Sequence, residues 1–251
     1  MKSRELAEYL DEFLRVKEIE DYLLNGLLVE NKKDIEKIAL AVDASLEAFK
    51  KTKSMGADLL IVHHGLFNKQ ECLPLTGALY ERIKFLIDND IGLYSVHLPL
   101  DMHPLVGNNA QATKLLGGKE GRPFANECGV NISKEIILEK TLTLEELVEK
   151  IEEKFNTRTV VWKFGKDKVE SIGYVSGGGI SFLKEAIQLE VDTFVTGEPK
   201  HGAYWMAKEA KINCIFAGHY ATETLGVKAL GGYINEKFGI DVKFIDLPTG
   251  H

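Results

Sequence analysis

Leu59-Leu60-Ile61-Val62-His63-His64-Gly65 is the stretch on which the fold turns. Its apolar run reads as a buried strand, and that strand stops at two adjacent histidines and a glycine. Working outward, Ile38-Ala39-Leu40-Ala41-Val42 reads as a second strand, Ser45 onward as a helix, Gly77 to Asp88 as a helix, and Gly92 to Val96 as a third strand. The order β-α-β-α-β implies parallel strands joined by right-handed crossovers. It sets Asp43, His63 and His97 along one edge, the carboxyl ends of the strands, where open parallel sheets place their chemistry.

The remainder of the chain stays α/β. The opening residues follow an amphipathic helix pattern, and Pro104 to Val130, rich in Gly and Asn, reads as a connection. A second unit starting near residue 126 has a strand Glu135 to Glu139, a helix opened by the capping box Thr143-Leu144-Glu145-Glu146, and strands at Thr159 to Phe164 and Ser171 to Val175. Its next strand ends at Thr193-Phe194-Val195. A helix over about Pro199 to Ala210, a strand Asn213 to Ala217, a helix over about Ala221 to Phe238 and a last strand Val242 to Ile245 complete the pattern. No internal repeat is visible in the sequence.

Composition narrows the function classes. The 251 residues are 45% hydrophobic, ample for a buried core, and the formal net charge of −7 argues against general affinity for nucleic acid or an anionic membrane. Cys72, Cys128 and Cys214 are odd in number and lack C-x-x-C spacing, so neither a disulfide framework nor a thiolate zinc knot is indicated. A reducing cytoplasm is the expected compartment. The N-terminus lacks the apolar core of a signal peptide, and no segment approaches the roughly 20 apolar residues needed to span a bilayer.

Five groups of residues can carry chemistry. His63 and His64 can diverge toward two nearby positions, or be two loop histidines. His219 and Glu223, four apart at the start of a helix, point the same way; they are either an exposed polar face or two ligands from one rigid element. Asp101 follows the strand ending at His97 through a turn stiffened by Pro99, which suits a ligand and equally suits an ordinary turn. Ser176-Gly177-Gly178-Gly179, between a strand and a helix, either offers backbone N–H groups to a phosphate or is glycine-rich for steric reasons. Asp43 is a helix N-cap neighbour or a polar wall of the pocket.

Taken together these segments resemble the GTP cyclohydrolase I type 2 homologues, the Nif-three-like dinuclear-metal proteins. The resemblance rests on His63-His64-Gly65-Leu66-Phe67, His97 through Asp101, Ser176 through Gly179, Thr196-Gly197-Glu198 with His201, and Gly218-His219-Tyr220-Ala221-Thr222-Glu223; Asn25-Gly26-Leu27 is similar to the family's N-terminal signature. It implies metal ligation by His63, His64, Asp101, His219 and Glu223, and a hexameric ring. Position 65 is Gly where many relatives have Pro, and Lys200-His201 stands where some have two histidines.

For ligands at 63 to 101 and 219 to 223 to converge, the last segment must return to the first. The expected architecture is therefore two α/β units with largely parallel strands, a discontinuous metal-binding domain of residues 1–125 plus 201–251 and a second domain of residues 126–200, with the metal site at strand ends between them. Two divalent ions need about eight to twelve coordination positions, more than five side chains fill, so positions remain open for water or substrate. The N/O donor set suits Zn, Fe, Mn, Co or Ni. His97, Glu198 and His201 are candidates for orienting ligands and moving protons. Metal-activated water makes hydrolysis of a nucleotide or related phosphorylated small molecule the natural inference, with GTP ring opening implied by the resemblance. The alternative is a metal-delivery or interaction scaffold protein without catalysis.

Overall fold

The computed structural model describes residues 1–70 and 73–251, so Cys72 lies outside the described residues. The chain begins with α1 (Ser3–Phe13), β1 (Gly26–Val29), β2 (Lys37–Asp43), α2 (Leu46–Ser54), β3 (Leu59–His64), α3 (Gly77–Asp88), β4 (Gly92–Ser95) and α4 (Leu98–Asp101). It continues with α5 (Asn108–Leu116), β5 (Gly118–Glu127), β6 (Val130–Thr143), α6 (Leu144–Phe155), β7 (Val160–Trp162), β8 (Lys168–Tyr174) and α7 (Leu183–Gln188). Then come β9 (Thr193–Thr196), α8 (Tyr204–Ala210), β10 (Asn213–Phe216), α9 (His219–Phe238) and β11 (Asp241–Phe244). Two compact units divide this order: Met1–Leu100 with Val227–Leu247, and Asp101–Gly226 with Pro248–His251. No helix among the described residues is long and apolar enough to cross a membrane.

The first unit holds a five-stranded sheet in the order β1-β4-β3-β2-β11. The strands β4, β3, β2 and β11 run parallel, and β1 closes one edge antiparallel to β4. Register pairs Ile38 with Leu59 and carries through to Asp43 opposite His64. The middles of β2 and β3 are buried on both faces, which is why each appears in the sequence as an unbroken apolar run. On one face α2 sets Ala48 and Phe49 against Ala39, Ala41, Leu60 and Val62. Ser45 caps that helix, its Oγ accepting the Ala48 N–H at 3.1 Å. Fully burying Phe49 contributes about 2–3 kcal/mol. On the other face α9 approaches β2 closely enough that a Cβ at Gly231 would lie 2.3 Å from the Leu40 side chain.

A six-stranded sheet, β5-β6-β8-β9-β10-β7, forms the second unit. The parallel strands β8, β9 and β10 sit at its centre, and the flanking pairings are antiparallel. α6 buries Leu144, Leu147, Ile151 and Phe155, one stripe at helical spacing, against Ile136, Ile172, Tyr174 and Val195. The capping box at Thr143 and Glu146 forms as the sequence predicts.

One stretch departs from the sequence reading. Residues Pro104 to Val130 are not a connection: they hold α5 and the ten-residue β5, and β6 is longer than the predicted Glu135 to Glu139. Asn108-Asn109 are turn formers by local propensity. Here their amides are consumed by partners outside the local turn, Asn108 by Asp101 Oδ1 and the Gly226 N–H, Asn109 by Ile132 O and the Ser176 N–H. With these groups satisfied elsewhere, the local turn has no advantage, and α5 forms up to the left-handed cap at Gly117.

Candidate metal centre

Each unit gathers its own set of metal-donor side chains. In the first, β3 delivers His63 and His64, and the chain leaving β4 delivers His97. Their rings lie 4.7, 5.0 and 5.6 Å apart, and one ring nitrogen from each falls within 4.8 Å of the others. His63 is fully buried, with Nδ1 3.0 Å from the Val96 carbonyl; His64 Nδ1 lies 2.9 Å from Asp43 Oδ1. A carbonyl and a carboxylate can only accept, so both contacts place the proton on Nδ1 and the ring lone pair on Nε2. An acceptor behind the imidazole is how proteins orient a metal-binding histidine. Asp43, ambiguous in the sequence, is such an acceptor.

His97 Nδ1 faces both oxygens of Asp21, at 3.0 and 3.2 Å, and Tyr22 stands edge-on to its ring. Asp21 also accepts the N–H groups of Leu23 and Leu98 and the amide of Asn25. Burial alone would raise the Asp21 carboxyl, but His97 and these donors outweigh it and hold the group below the usual carboxylate range.

In the second unit Asp101 is buried, its Oδ1 accepting the Asn108 amide at 2.8 Å and the Ser176 hydroxyl at 2.9 Å. His219 and Glu223 stand on the first turns of α9, with Nε2 and Oε1 3.1 Å apart, as the four-residue spacing predicts. Glu198, just beyond β9, lies 3.5 Å from His219 Nδ1. His201 is exposed in a 3-10 turn, His201–Ala203. Tyr174 is pushed well above its ordinary value by burial, reinforced by negative charge on Asp101 and Glu223, so its phenol stays neutral among carboxylates.

Ser176 through Gly179 serves close packing. The Ser176 and Gly177 N–H groups are taken by Asn109 Oδ1 and Thr222 Oγ1, and so are not offered to a phosphate. Gly177 has φ +59, and a Cβ there would lie 2.0 Å from Glu223 Oε1 and 3.0 Å from His219 Nε2. Only a residue without a side chain lets those two donors stand where they do. Cys214 is buried, which pushes its thiol up to about 12 and removes it as a thiolate ligand. Imidazole and carboxylate donors, several with oriented lone pairs and fixed by their neighbours, fit a borderline divalent ion.

Asp21, Asn25, Asn108 and Thr222 were not identified from sequence. Asn25 lies within the recognised Asn25-Gly26-Leu27 motif, but the acid four residues earlier carries no local signal.

A family model described as Duf34/NIF3 (NGG1p interacting factor 3) matches residues 1–250. A protein of Pyrococcus horikoshii is 43% identical over 251 residues, with all of both chains covered, and one of Archaeoglobus fulgidus is 41% identical over 249 residues, covering 99% of each; both bear the name GTP cyclohydrolase 1 type 2 homolog. The crystal structure of a Thermus thermophilus protein, TTHA1606, superposes with a TM-score of 0.91 at 39% identity over the full length of both chains.

Proposed function

This chain belongs to the Duf34/NIF3 family, and on that premise we propose that it holds two divalent transition-metal ions and hydrolyses a nucleotide or related phosphorylated small molecule. His63, His64, Asp101, His219 and Glu223 are the proposed ligands. The observation that carries the reading is the pair of imidazoles at the end of β3, each with Nδ1 tied to an acceptor and its lone pair at Nε2. Five ligands leave both ions open to exchange. Such ions, when bound, supply Lewis acidity and activate water near neutral pH.

The chain's own residues do the rest. Asp43 and the Val96 carbonyl hold the β3 imidazoles in one tautomer. Asn108 and Ser176 fix Asp101 through Oδ1. His97, Glu198 and His201 are the proposed proton carriers, and Glu198 beside His219 Nδ1 also orients that ring. Purine ring opening of GTP is suggested by the names of the relatives, and phosphoester hydrolysis would use the same groups. We place the protein in a reducing cytoplasm, as a hexamer; a solution mass near 28.0 kDa would remove the hexamer.

Metal-loaded protein screened against GTP and phosphoesters is expected to show turnover that disappears in both His64→Ala and Glu223→Ala. Persistence of turnover in both variants would place it elsewhere. Transfer of metal to an apo-acceptor without any turnover would favour a metal-delivery protein. Elemental analysis is expected to find close to two equivalents of metal per chain.

A further inference from the structure

The ring of His97 is held from more directions than packing requires. Asn25 Oδ1 accepts its main-chain N–H at 2.7 Å, Asp21 accepts the next one, from Leu98, at 2.9 Å, and the same Asp21 meets its Nδ1. Tyr22 and His63 stand at 5.1 and 5.0 Å from the ring centre. Asp21 itself is fixed: its side chain has no exposure, and it receives the Leu23 N–H at 3.0 Å and the Asn25 amide at 2.9 Å. A short irregular segment, Asp21 to Asn25, is thus committed to one imidazole 76 residues away.

We propose that Asp21 is the positioning residue for His97: its carboxylate holds the imidazole as the Nδ1–H tautomer and so reserves Nε2 as a proton acceptor beside the His63 and His64 rings. An ionised carboxylate that already receives three other donors can only accept, so the Nδ1 contact requires a hydrogen on that nitrogen. A neutral ring then has its lone pair at Nε2. The Leu23 and Leu98 N–H groups and the Asn25 amide, all donors, favour the ionised Asp21 carboxylate.

For what Nε2 accepts, the inference rests on the hydrolytic reading above. There a proton leaves the O–H of an attacking water for Nε2, the O–H bonding pair stays on oxygen to form the new bond, and the same proton passes from Nε2 to the departing atom as its bond breaks. Asp21 stays ionised throughout, stabilising the doubly protonated ring without taking its proton.

The test reads the tautomer directly, in the full-length protein labelled with 15N-histidine. Long-range 1H–15N correlations are assigned to His97 by their loss in His97→Gln. The wild type is expected to show a protonated Nδ1 and an unprotonated Nε2 at His97; Nε2–H in the wild type overturns the proposal. Asp21→Asn is expected to shift His97 toward the Nε2–H tautomer with the circular dichroism unchanged, and a retained Nδ1–H overturns it. Asn25→Ala, which leaves the Asp21 contact in place, is expected to keep the wild-type tautomer, and it carries the comparison if Asp21→Asn does not fold. On adding Zn2+, His63 and His64 are expected to show coordination shifts and His97 Nε2 none. A coordination shift at His97 would make it a ligand and end its role as acceptor. A chain that binds no zinc yet keeps Nδ1–H at His97 defeats the metal reading and leaves the role of Asp21 in setting the tautomer intact.

Discussion

The two units carry the same β-α-β plan, and their two ends behave differently. At the amino ends of the strands the plan repeats atom for atom. Asp58, just before β3, accepts the N–H groups of Glu36 and Lys37 at the start of β2; Asp192, just before β9, accepts those of Glu170 and Ser171 in β8. The sequence separations are 22 and 21 residues in both cases. Each aspartate also returns its own N–H to the same neighbouring strand, Asp58 to Lys37 O and Asp192 to Ser171 O. At the carboxyl ends the two diverge. β2 and β3 end in Asp43, His63 and His64, whereas β8 and β9 lead into Ser176-Gly177 and Gly197-Glu198. Where the first unit uses the Asp43 side chain to orient an imidazole, the second needs Gly177 bare so that Glu223 and His219 can pass. One end of the plan sets the register of strands; the other is free to carry whatever chemistry the loops supply.

The largest effect that could break this comparison lies in the cores. Phe49 and Phe194 are both fully buried, and Phe49→Ala and Phe194→Ala are each expected to lose about 3–5 kcal/mol in denaturant unfolding. A loss confined to one of them would mean that the units differ in rigidity as well as chemistry. Next come the aspartates. Asp58→Ala and Asp192→Ala each strand two backbone donors, and losses of about 1–3 kcal/mol are expected for both; a cost for one alone would show the repeat to be geometric and not energetic.

The Asp58 case has a pH signature. Burial would raise its carboxyl, but the Glu36 N–H, the Lys33 ammonium and the Lys37 N–H together hold it below the ordinary range. A group whose folded value is depressed contributes fully above its unfolded value of about 3.9. That contribution is lost as pH falls through the lower folded value. The stability gap between wild type and Asp58→Ala is therefore expected to be constant near neutrality and to shrink below about pH 4. A gap that widens in acid would contradict this.

Gly177→Ala sharpens the contrast at the carboxyl ends. The left-handed backbone alone costs an alanine about 1–2 kcal/mol, and the displaced Glu223 is expected to lower metal stoichiometry in elemental analysis. The smallest effects belong to the helix caps. Ser45→Ala and Thr143→Ala each remove an oxygen that accepts a first-turn N–H, and about 1 kcal/mol apiece is expected by thermal unfolding.

Legibility in the sequence followed the range of the interactions. β2 and β3 were visible because strands buried on both faces carry unbroken apolar runs through their middles, and α6 because its capping box and its apolar stripe lie within a few residues of each other. The four-residue step from His219 to Glu223 placed two donors on one helix face without further information. α5 was hidden because Asn108 finds one of its partners 118 residues away and Asn109 one of its own 67 residues away. Asp21 was hidden for the same reason.

The chain's own order of residues determined the α/β class, the strand ends that carry histidine, and the family, since each depends on local patterns or on short motifs in series. Tertiary structure alone decided which oxygen stands behind each imidazole, why Gly177 must be glycine, and that Asp21 belongs to His97. Those facts are distances between side chains far apart in the chain, and a buried polar group takes its partner from whatever the fold brings near.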